Sequence, residues 1–458
     1  MALRRHQRRV LERLGSISAH LEASPASSPR HSRSGRSGKR AASAAELAQQ
    51  LKALAEEAAG ANSRIESLES RVKSLESQLL DDGPDNNEAD PDPEPAEPEL
   101  EPEATPAPPT DVITVAVLGG TGHVGSYLCP RLGDDPRFRC ICISRSTTSK
   151  PYAAAGGSWD NVERVALDRT GADHNSPVLS DAASDSAAAA EIAFGQAVAA
   201  LGADVVIDMI CFTKDSCQRL VEALKGSPCK HFFHVGSIWA HGHSRAVPTP
   251  EGLPHEREPL EEYGRAKNNI EAWLLHSDEA AEIPFACTVL HAGHIVGRGW
   301  APLNPQGHFN PQVFAKLAKG EPLLLPNFGQ ETVHHIHADD IARCFIACIE
   351  QREVSAGQAY HIVSPQAVSL RHLAIAVTKE LFDLDVKLEF AHSWEQFAAV
   401  VDETDAAQTL THIQHSPSCS MAKIKEHLGF ESHHDSISMV VESARYMIEN
   451  GMVEGLPL

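Results

Sequence analysis

Tyr263 and Lys267 are the two residues whose types and spacing point most directly to chemistry. They stand four positions apart in a helix-like segment, so their side chains share one helix face. A phenol with a pKa near ~10 is a poor acid–base catalyst at neutral pH, and an adjacent ammonium group lowers that pKa. Ser237 precedes Tyr263 by 26 residues, at the end of a predicted strand, where its hydroxyl can hold a reacting oxygen beside the phenol. The set predicts proton transfer at a substrate oxygen.

A glycine-rich loop lies about 140 residues upstream of Tyr263. The apolar, β-branched run 112–118 precedes it, as expected for a buried parallel strand, and an amphipathic segment follows from about His123. Glycines let such a turn close tightly and let backbone N–H groups approach a pyrophosphate at the helix N-terminus. Between a strand and a helix, the pattern predicts a dinucleotide-binding loop. The predicted loop residues are Gly119, Gly120, Thr121, Gly122, His123, Val124 and Gly125.

Two residues after the next strands bear on the choice of dinucleotide. An NAD site usually has an acidic residue at the end of the second strand, to accept the ribose hydroxyls. This sequence has Arg145 there, which suits the 2′-phosphate of NADP; the alternative is an ordinary solvent-facing loop arginine. Asp168 follows the third strand, where it can contact the adenine edge.

The elements that must position these residues alternate between strands and helices. Such repeats predict an α/β fold with a parallel, doubly wound sheet. Beyond residue 350, further strands and helices predict a smaller C-terminal lobe. The predicted strands are 112–118, 138–143, 162–167, 204–210, 231–236, 358–363 and 385–390, and the predicted later helices are 260–276, 368–382 and 436–450.

Composition excludes several classes of protein. The chain has a net charge of −22, and residues 111–458 alone carry 26 basic and 43 acidic groups. An acidic body argues against nucleic-acid binding, which depends on Lys and Arg at phosphates. No run of apolar residues reaches the ~18 that a membrane span needs. The ten cysteines have no paired Cys-x-x-Cys spacing, so they are interpreted as reduced core residues, which favours a cytoplasmic location.

The first 110 residues divide into three parts. Residues 1–43 are basic and serine-rich, which indicates either a disordered tail or a transit peptide for an organelle matrix. Residues 44–80 carry a heptad seam from Leu47 to Leu79, which predicts a self-associating coiled coil. Residues 81–110 hold eleven acidic residues and nine prolines, and predict a stiff, charged linker.

With these motifs in place, the chain resembles the extended branch of the short-chain dehydrogenase/reductase superfamily, the NAD-dependent epimerase/dehydratase family. The matching pieces are GGTGHVG, SIWAHG, YGRAK, LHAGHIVGRG and HIHADDIA, within about 112–350. The resemblance implies a Rossmann-type NAD(P)-binding domain at 111–290 and a substrate-binding lobe at 291–458, interleaved with the sheet. It also implies that Ser237 orients the substrate, that Tyr263 is the general acid/base, and that Lys267 tunes Tyr263 and binds the nicotinamide ribose.

The departures from that pattern fall in the substrate pocket. Small residues are usual at the end of the fourth strand, where this chain has Met209, Cys211 and Phe212. His294, Trp300 and Asn310 are expected to line the substrate cleft. The histidine pairs at 241/243 and 334–337 have ligand-like spacing, but no Cys or acid completes a tetrahedral set, so no metal site is predicted.

The resulting function hypothesis is an NAD(P)-dependent epimerase/dehydratase-like enzyme acting by hydride transfer on a nucleotide sugar or a related small hydroxy or keto compound. The alternatives are a simple NADPH-dependent carbonyl reductase and a catalytically silent NAD(P)-binding scaffold or sensor. Arg145 favours NADP, whereas a tightly retained NAD would indicate an epimerase. The chain is expected to form a homodimer, through the helix at 260–276 and through the coil.

Overall fold

The computed structural model describes residues 112–152, 157–169 and 185–456 of the 458-residue chain. The tail at 1–43, the coil at 44–80 and the linker at 81–110 lie outside the described residues, so those three assignments stay predictions.

Thirteen strands occur in the described residues. They are β1 (Ile113–Leu118), β2 (Phe138–Ser144), β3 (Val162–Ala166), β4 (Val205–Asp208), β5 (His231–Ser237), β6 (Ala286–Ala292), β7 (His294–Val296), β8 (Leu323–Leu325), β9 (Thr332–Val333), β10 (His335–His337), β11 (Gln358–Ile362), β12 (Val368–Ser369) and β13 (Leu388–Phe390).

The described helices follow the same chain order, with short 3-10 turns at Ile238–His241, Pro254–Glu256, Asp278–Glu282 and Asn327–Gly329. The α-helices are α1 (His123–Asp134), α2 (Asp185–Ala200), α3 (Lys214–Leu224), α4 (Glu261–His276), α5 (Gln312–Ala318), α6 (Ala338–Glu350), α7 (Arg352–Ser355), α8 (Leu370–Phe382), α9 (Trp394–Val400), α10 (Glu403–Ile413), α11 (Ala422–Leu428) and α12 (Ser436–Glu449).

Seven parallel strands form the central sheet, in the order β11-β6-β5-β4-β1-β2-β3. The chain enters at β1, moves outward to β3, and then crosses back to β4 on the other side of β1. Strand order therefore reverses between β1 and β4, and the crevice at their carboxyl ends is where such sheets bind ligands. The predicted parallel, doubly wound α/β fold is confirmed.

Apolar side chains fill both faces of the sheet. Leu128 of α1 and Phe345 of α6 belong to the core on one face, whereas Leu220 of α3 and Trp273 of α4 belong to the core on the other. A third core joins α5, α8 and α12 in the C-terminal lobe. The central strands β1, β4, β5 and β6 are buried along most of their length, which explains their largely apolar sequences.

Buried positions also settle two smaller points. All ten cysteines are buried, free thiols. On α4, the helix predicted to pair in a homodimer, Ile270, Trp273 and Leu274 lie in the core against the sheet. Within the described ranges, no helix combines the length and the apolar character needed to cross a membrane.

Candidate active site

Ser237 and Tyr263 meet at the carboxyl edge of the sheet. Ser237 is the last residue of β5, and Tyr263 lies in the first turn of α4. Burial raises the pKa of Tyr263, while a hydrogen bond between its side chain and that of Ser237 acts in the opposite direction. The Ser237 Oγ also accepts a hydrogen bond of 3.2 Å from the backbone N–H of Trp239, which fixes its position. The net effect keeps Tyr263 in its phenol form at neutral pH.

Lys267 lies one helical turn beyond Tyr263 and is buried. Its Nζ donates hydrogen bonds to the carbonyl oxygens of Cys211, at 2.7 Å, and Val235, at 2.8 Å. The ammonium group is 5.8 Å from the centre of the Tyr263 ring. Burial lowers the pKa of Lys267 to about 8. An ammonium group has three protons, so one remains for a ligand.

A buried ionic cluster is hydrogen-bonded to the backbone of Ser237. The Nδ1 of His291 donates a hydrogen bond of 3.0 Å to the carbonyl oxygen of Ser237, and its Nε2 lies 2.7 Å from Glu271 Oε2. Arg257 binds both oxygens of the same carboxylate, at 2.5 and 2.9 Å. Burial raises the pKa of Glu271, but the charges and hydrogen bonds of His291 and Arg257 outweigh it and leave a pKa of about 2. This cluster was not predicted from the sequence.

The glycine-rich loop is packed closely enough that glycine is required. A β-carbon on Gly125 would lie 2.4 Å from the carbonyl oxygen of Gly120, and one on Gly120 would lie 2.7 Å from Cys142 Sγ. Gly119 has a φ of +82°, a conformation that L side chains rarely adopt. The backbone N–H groups of Gly119 and Gly120 both bond to the carbonyl oxygen of Ile143, which ties the loop to β2.

The N-terminus of α1 is suited to a pyrophosphate. Its N-cap residue, Gly122, provides no side-chain hydrogen bond, so the backbone N–H groups of the first turn remain available to an anion. The ring of His123 does not take part in this anion site. It stacks on the ring of Trp300, with centroids 5.1 Å apart and planes 4° apart. Tyr152 packs against the same two rings. Burial lowers the pKa of His123 to about 3, so this ring is neutral.

Arg145 and Asp168 lie where the sequence placed them, at exposed positions after β2 and β3. Within the described part of the chain, no hydrogen bond or ion pair holds the guanidinium group of Arg145. Next to Asp168, Arg169 forms a buried ion pair of 2.8 Å with Asp208 at the end of β4. That pair was not predicted, because nothing in either residue's local sequence distinguishes it from a surface charge.

The three predicted substrate residues lie in different surroundings. His294 is half-buried beside His412, with ring centroids 5.4 Å apart. Trp300 lies against the glycine-rich loop, as described above. The Nδ2 of Asn310 donates to Asp405 at 2.7 Å, and its Oδ1 accepts from the backbone N–H of Gln312 at 3.0 Å, so both ends of this amide are engaged. The role of each in binding substrate stays a prediction.

The bulky residues after β4 pack in three directions. Cys211 is buried in the core, and Met209 packs on the opposite face of the sheet. Phe212 lies under the ammonium group of Lys267, 4.8 Å away.

The ligand-like histidines bind separate partners. The Nε2 atoms of His334, His335 and His337 approach Ser364, Leu303 and Glu442, respectively. No group of three side chains suited to a metal ion occurs among the residues described.

Comparison with known proteins assigns the chain to a family. No curated protein is similar enough in sequence to match. Among solved structures, UDP-glucose 4-epimerase of Thermotoga maritima is 15% identical, with a TM-score of 0.51 over 74% of this chain and 99% of that chain. UDP-glucuronic acid 4-epimerase of Bacillus cereus, solved with UDP-glucuronic acid and NAD, is 15% identical, with a TM-score of 0.51 over 74% of this chain and 100% of that chain.

UDP-N-acetylglucosamine 4-epimerase of Methanobrevibacter ruminantium, solved with UDP-N-acetylmuramic acid, gives similar values: 15% identity and a TM-score of 0.52, over 74% of this chain and 100% of that chain. At this level of identity, the similarities show the shared fold. The profile of the NAD dependent epimerase/dehydratase family matches residues 115–362, which is more than half of the chain. The chain therefore belongs to the NAD dependent epimerase/dehydratase family and is an enzyme of the short-chain dehydrogenase/reductase type.

Proposed function

We propose that the chain is an NAD(P)-dependent epimerase-like enzyme that acts on a nucleotide sugar or a related hydroxy or keto compound, with Ser237, Tyr263 and Lys267 at its reacting centre. The observation that carries the proposal is the position of Lys267. Its Nζ donates a hydrogen bond of 2.8 Å to the carbonyl oxygen of Val235, two residues before Ser237, and lies 5.8 Å from the centre of the Tyr263 ring. The spacing of these residues in the sequence predicted the set, and its support in the fold is that Ser237 ends β5 while Tyr263 and Lys267 lie on α4.

The chain's own groups suit the binding of a dinucleotide. The uncapped N–H groups at the start of α1 would hold the pyrophosphate, and Arg145 and Asp168 would face the adenosine end. The remaining proton of Lys267 would reach a ribose hydroxyl. When bound, NAD(P) supplies a nicotinamide carbon that accepts a hydride from the substrate and returns it.

Proton transfer falls to Tyr263. Oxidation of a secondary alcohol releases the hydroxyl proton, and the phenolate oxygen of Tyr263 takes it; the reverse step returns it to the carbonyl oxygen. Burial raises the pKa of Tyr263, and its hydrogen bond with Ser237 acts in the opposite direction. The proposal gives Lys267, whose Nζ is 5.8 Å from the centre of the phenol ring, the role of favouring the phenolate by its charge. The Ser237 hydroxyl donates a hydrogen bond to the same substrate oxygen and orients it.

The test is Tyr263→Phe in the full chain. A panel of UDP-glucose, UDP-N-acetylglucosamine, UDP-glucuronic acid and small ketones is incubated with the protein and either nucleotide, and products and nicotinamide absorbance are followed. General acid–base catalysis contributes roughly 10²–10⁴-fold, so turnover is expected to fall by that factor while nucleotide affinity stays the same. Tyr446→Phe, on α12, is the matched control. Equal turnover in Tyr263→Phe would exclude the proposed role.

The competing function is an NAD(P)-binding scaffold or sensor without turnover. It is favoured by Lys267, two of whose protons already bond to backbone carbonyls, and by the Trp239 ring, whose centre is 5.8 Å from that of Tyr263. Turnover of any substrate that Tyr263→Phe abolishes excludes this alternative. Nucleotide retained through purification separates the enzymatic classes: bound NAD favours an epimerase, and NADP(H) taken up from solution favours a carbonyl reductase.

We also propose a homodimer. Because Ile270, Trp273 and Leu274 are buried within one chain, α4 can contribute only its remaining, more exposed positions to a partner, and the predicted coil carries the larger share. Light scattering on the full chain and on a chain beginning at Asp111 tests this division. A full chain that is monomeric at micromolar concentration would exclude both contacts.

A further inference from the structure

An aromatic and imidazole-lined wall extends from the reacting centre towards the C-terminal lobe. Trp239, two residues after Ser237, makes an edge-to-face contact with Tyr263. Its ring centre is also 5.4 Å from that of His412. His412 in turn lies 5.4 Å from His294. Starting from Tyr263, this wall leads through one indole ring to a pair of imidazoles.

The two imidazoles have the same tautomer. The Nδ1 of His294 lies 3.2 Å from the carbonyl oxygen of His334, and the Nδ1 of His412 lies 2.6 Å from the carbonyl oxygen of Gln408. A carbonyl oxygen only accepts, so each Nδ1 carries the proton. Burial lowers the pKa of both rings, so both are neutral and each Nε2 has a free lone pair. The Nε2 of His294 is buried and has no partner among the described residues.

The position of His412 is fixed by hydrogen bonds to the segment that follows Ser237. The backbone N–H of Ser244 donates to the carbonyl oxygen of His415 at 3.2 Å, and the backbone N–H of Thr249 donates to that of Ser418 at 2.6 Å. The Ser244 hydroxyl adds a bond of 3.0 Å to the carbonyl oxygen of Ser416. The segment that follows α10 is therefore bonded to the segment that follows β5 and its 3-10 turn.

Burial is the main influence on the pKa of both rings, and the charges that act on His294 are those of His412, His335 and His415. Asp405, also on α10, is bonded to Asn310 at 2.7 Å. The lone pairs of neutral imidazoles repel phosphate oxygens, so this pair does not suit a diphosphate. Two acceptors beside an indole ring suit a neutral group with O–H donors.

We propose that His294 and His412 form a subsite that accepts hydrogen bonds from two hydroxyl groups of a sugar ring lying against Trp239. The inference rests on the proposed function and deepens it, because it assigns this wall to the glycosyl part of the substrate and not to its diphosphate. His412 and Trp239 are specificity-determining residues in this assignment, and neither was predicted from the sequence to bind substrate.

The experiment compares asparagine and glutamine at each histidine, in the full chain saturated with nicotinamide nucleotide. Asparagine retains a polar group near Nδ1 and removes the acceptor at Nε2, whereas the longer glutamine retains an acceptor near Nε2. Calorimetry measures the affinity for UDP-glucose, UDP-N-acetylglucosamine, UDP-glucuronic acid and UDP. Loss of one hydrogen bond costs 0.5–1.5 kcal/mol, so His294→Asn and His412→Asn should each weaken the nucleotide sugars by about two- to tenfold and leave UDP unchanged. Glutamine should restore most of the loss.

Several outcomes would overturn the inference. Equal weakening of UDP and the nucleotide sugars would assign the wall to the diphosphate, and unchanged affinity for all four would remove it from the site. Failure of the wild-type chain to bind any nucleotide sugar would exclude a glycosyl subsite. Tight Zn²⁺ binding that is lost in His412→Asn would make the pair metal ligands instead. If Tyr263→Phe abolishes turnover while both asparagine variants bind as the wild type does, the proposed function stands and this inference fails.

Discussion

The glycine-rich loop and the wall formed by Trp239, His294 and His412 lie at the same edge of the sheet, but different kinds of contact hold them. The loop is packed backbone against backbone, within a segment of about thirty residues, and a single methyl group would disrupt it. The wall joins side chains from the 3-10 turn after β5, from β7 and from α10, and its imidazoles are each held through one ring nitrogen. The first region depends on the absence of side chains, and the second on which side chains are present.

This difference indicates which region can vary. Few sequences can form the pyrophosphate loop, because a helix must approach a strand closely for its N–H groups to reach the ligand. Many different side chains could form the wall, since any pair of hydrogen-bond acceptors at the same backbone positions would keep the fold. We therefore expect the loop to govern whether the chain binds a dinucleotide, and the wall to govern what reacts.

The largest expected effect is on the loop side. Gly125→Ala places a methyl group 2.4 Å from the Gly120 carbonyl oxygen, and neither backbone can move without breaking the β1–α1 packing. We expect a loss of unfolding free energy of about 4 kcal/mol or more, together with loss of nucleotide binding. Denaturant unfolding and nucleotide titration measure the two effects. Gly226→Ala, which meets no atom within 4 Å, is the control and should change stability by less than about 0.5 kcal/mol.

The second-largest expected effect is a loss of unfolding free energy caused by a substitution next to the reacting centre. Glu271→Gln leaves Arg257 and His291 without their buried carboxylate, and breaking a buried pair in this way costs about 3–5 kcal/mol. Thermal or denaturant unfolding measures the change. Glu163→Gln removes one partner of the exposed pair with Arg139 and should cost no more than about 1 kcal/mol. Similar losses in the two variants would mean that the cluster bonded to Ser237 does not stabilise this region.

A smaller effect concerns which nucleotide the loop side prefers. Arg145→Ala removes a guanidinium group that can pair bidentately with a 2′-phosphate, a bond worth roughly 1.5–3 kcal/mol. NADP affinity should fall about ten- to a hundredfold, and NAD affinity should stay the same. Titration of both nucleotides into Arg145→Ala and into Arg139→Ala, on the same strand, measures this. If NADP and NAD weaken equally, or neither does, Arg145 is an ordinary loop residue.

The smallest expected effect is the pH dependence of stability that the buried Lys267 causes. Burial lowers its pKa from 10.5 to about 8, so the folded state loses the proton before the unfolded state does. Stability therefore rises as the pH increases from about 8 towards 10.5, by about 1 kcal/mol between pH 8 and pH 9. Lys267→Met should lack this increase, while the exposed Lys225→Met should keep it. If the stability of the wild type and that of Lys267→Met change with pH in parallel, burial does not destabilise the ammonium group of Lys267.

The regions whose structure depends on local sequence patterns could be predicted from the sequence. Strands and helices with clear periodicity, such as β1, β5 and α4, were predicted to within a few residues. The spacing of Tyr263 and Lys267 on one helix face also holds in three dimensions. These predictions succeed because period and glycine placement are imposed by the backbone within a short segment.

Contacts between distant segments could not be predicted. The short helices α9, α10 and α11 carry weak periodic signals, and His412 reaches the wall only because the residues that follow it bond to 243–249. Glu271 resembles any helix-surface acid until Arg257 and His291 are seen around it. Trp300 was expected in the substrate cleft, but its stacking on His123 depends on how the loop after β7 folds back.

The bonds between 414–420 and 243–249 also bear on the order in which the molecule folds. They join residues as many as 172 positions apart, and loops of that length close late because the entropy of closure must be met before any contact forms. The parallel strands up to β6 are complete in the chain long before α10 has been synthesised. The wall beside Trp239 is therefore among the last surfaces to form, and until then the indole ring and its neighbours are exposed to solvent and to other chains.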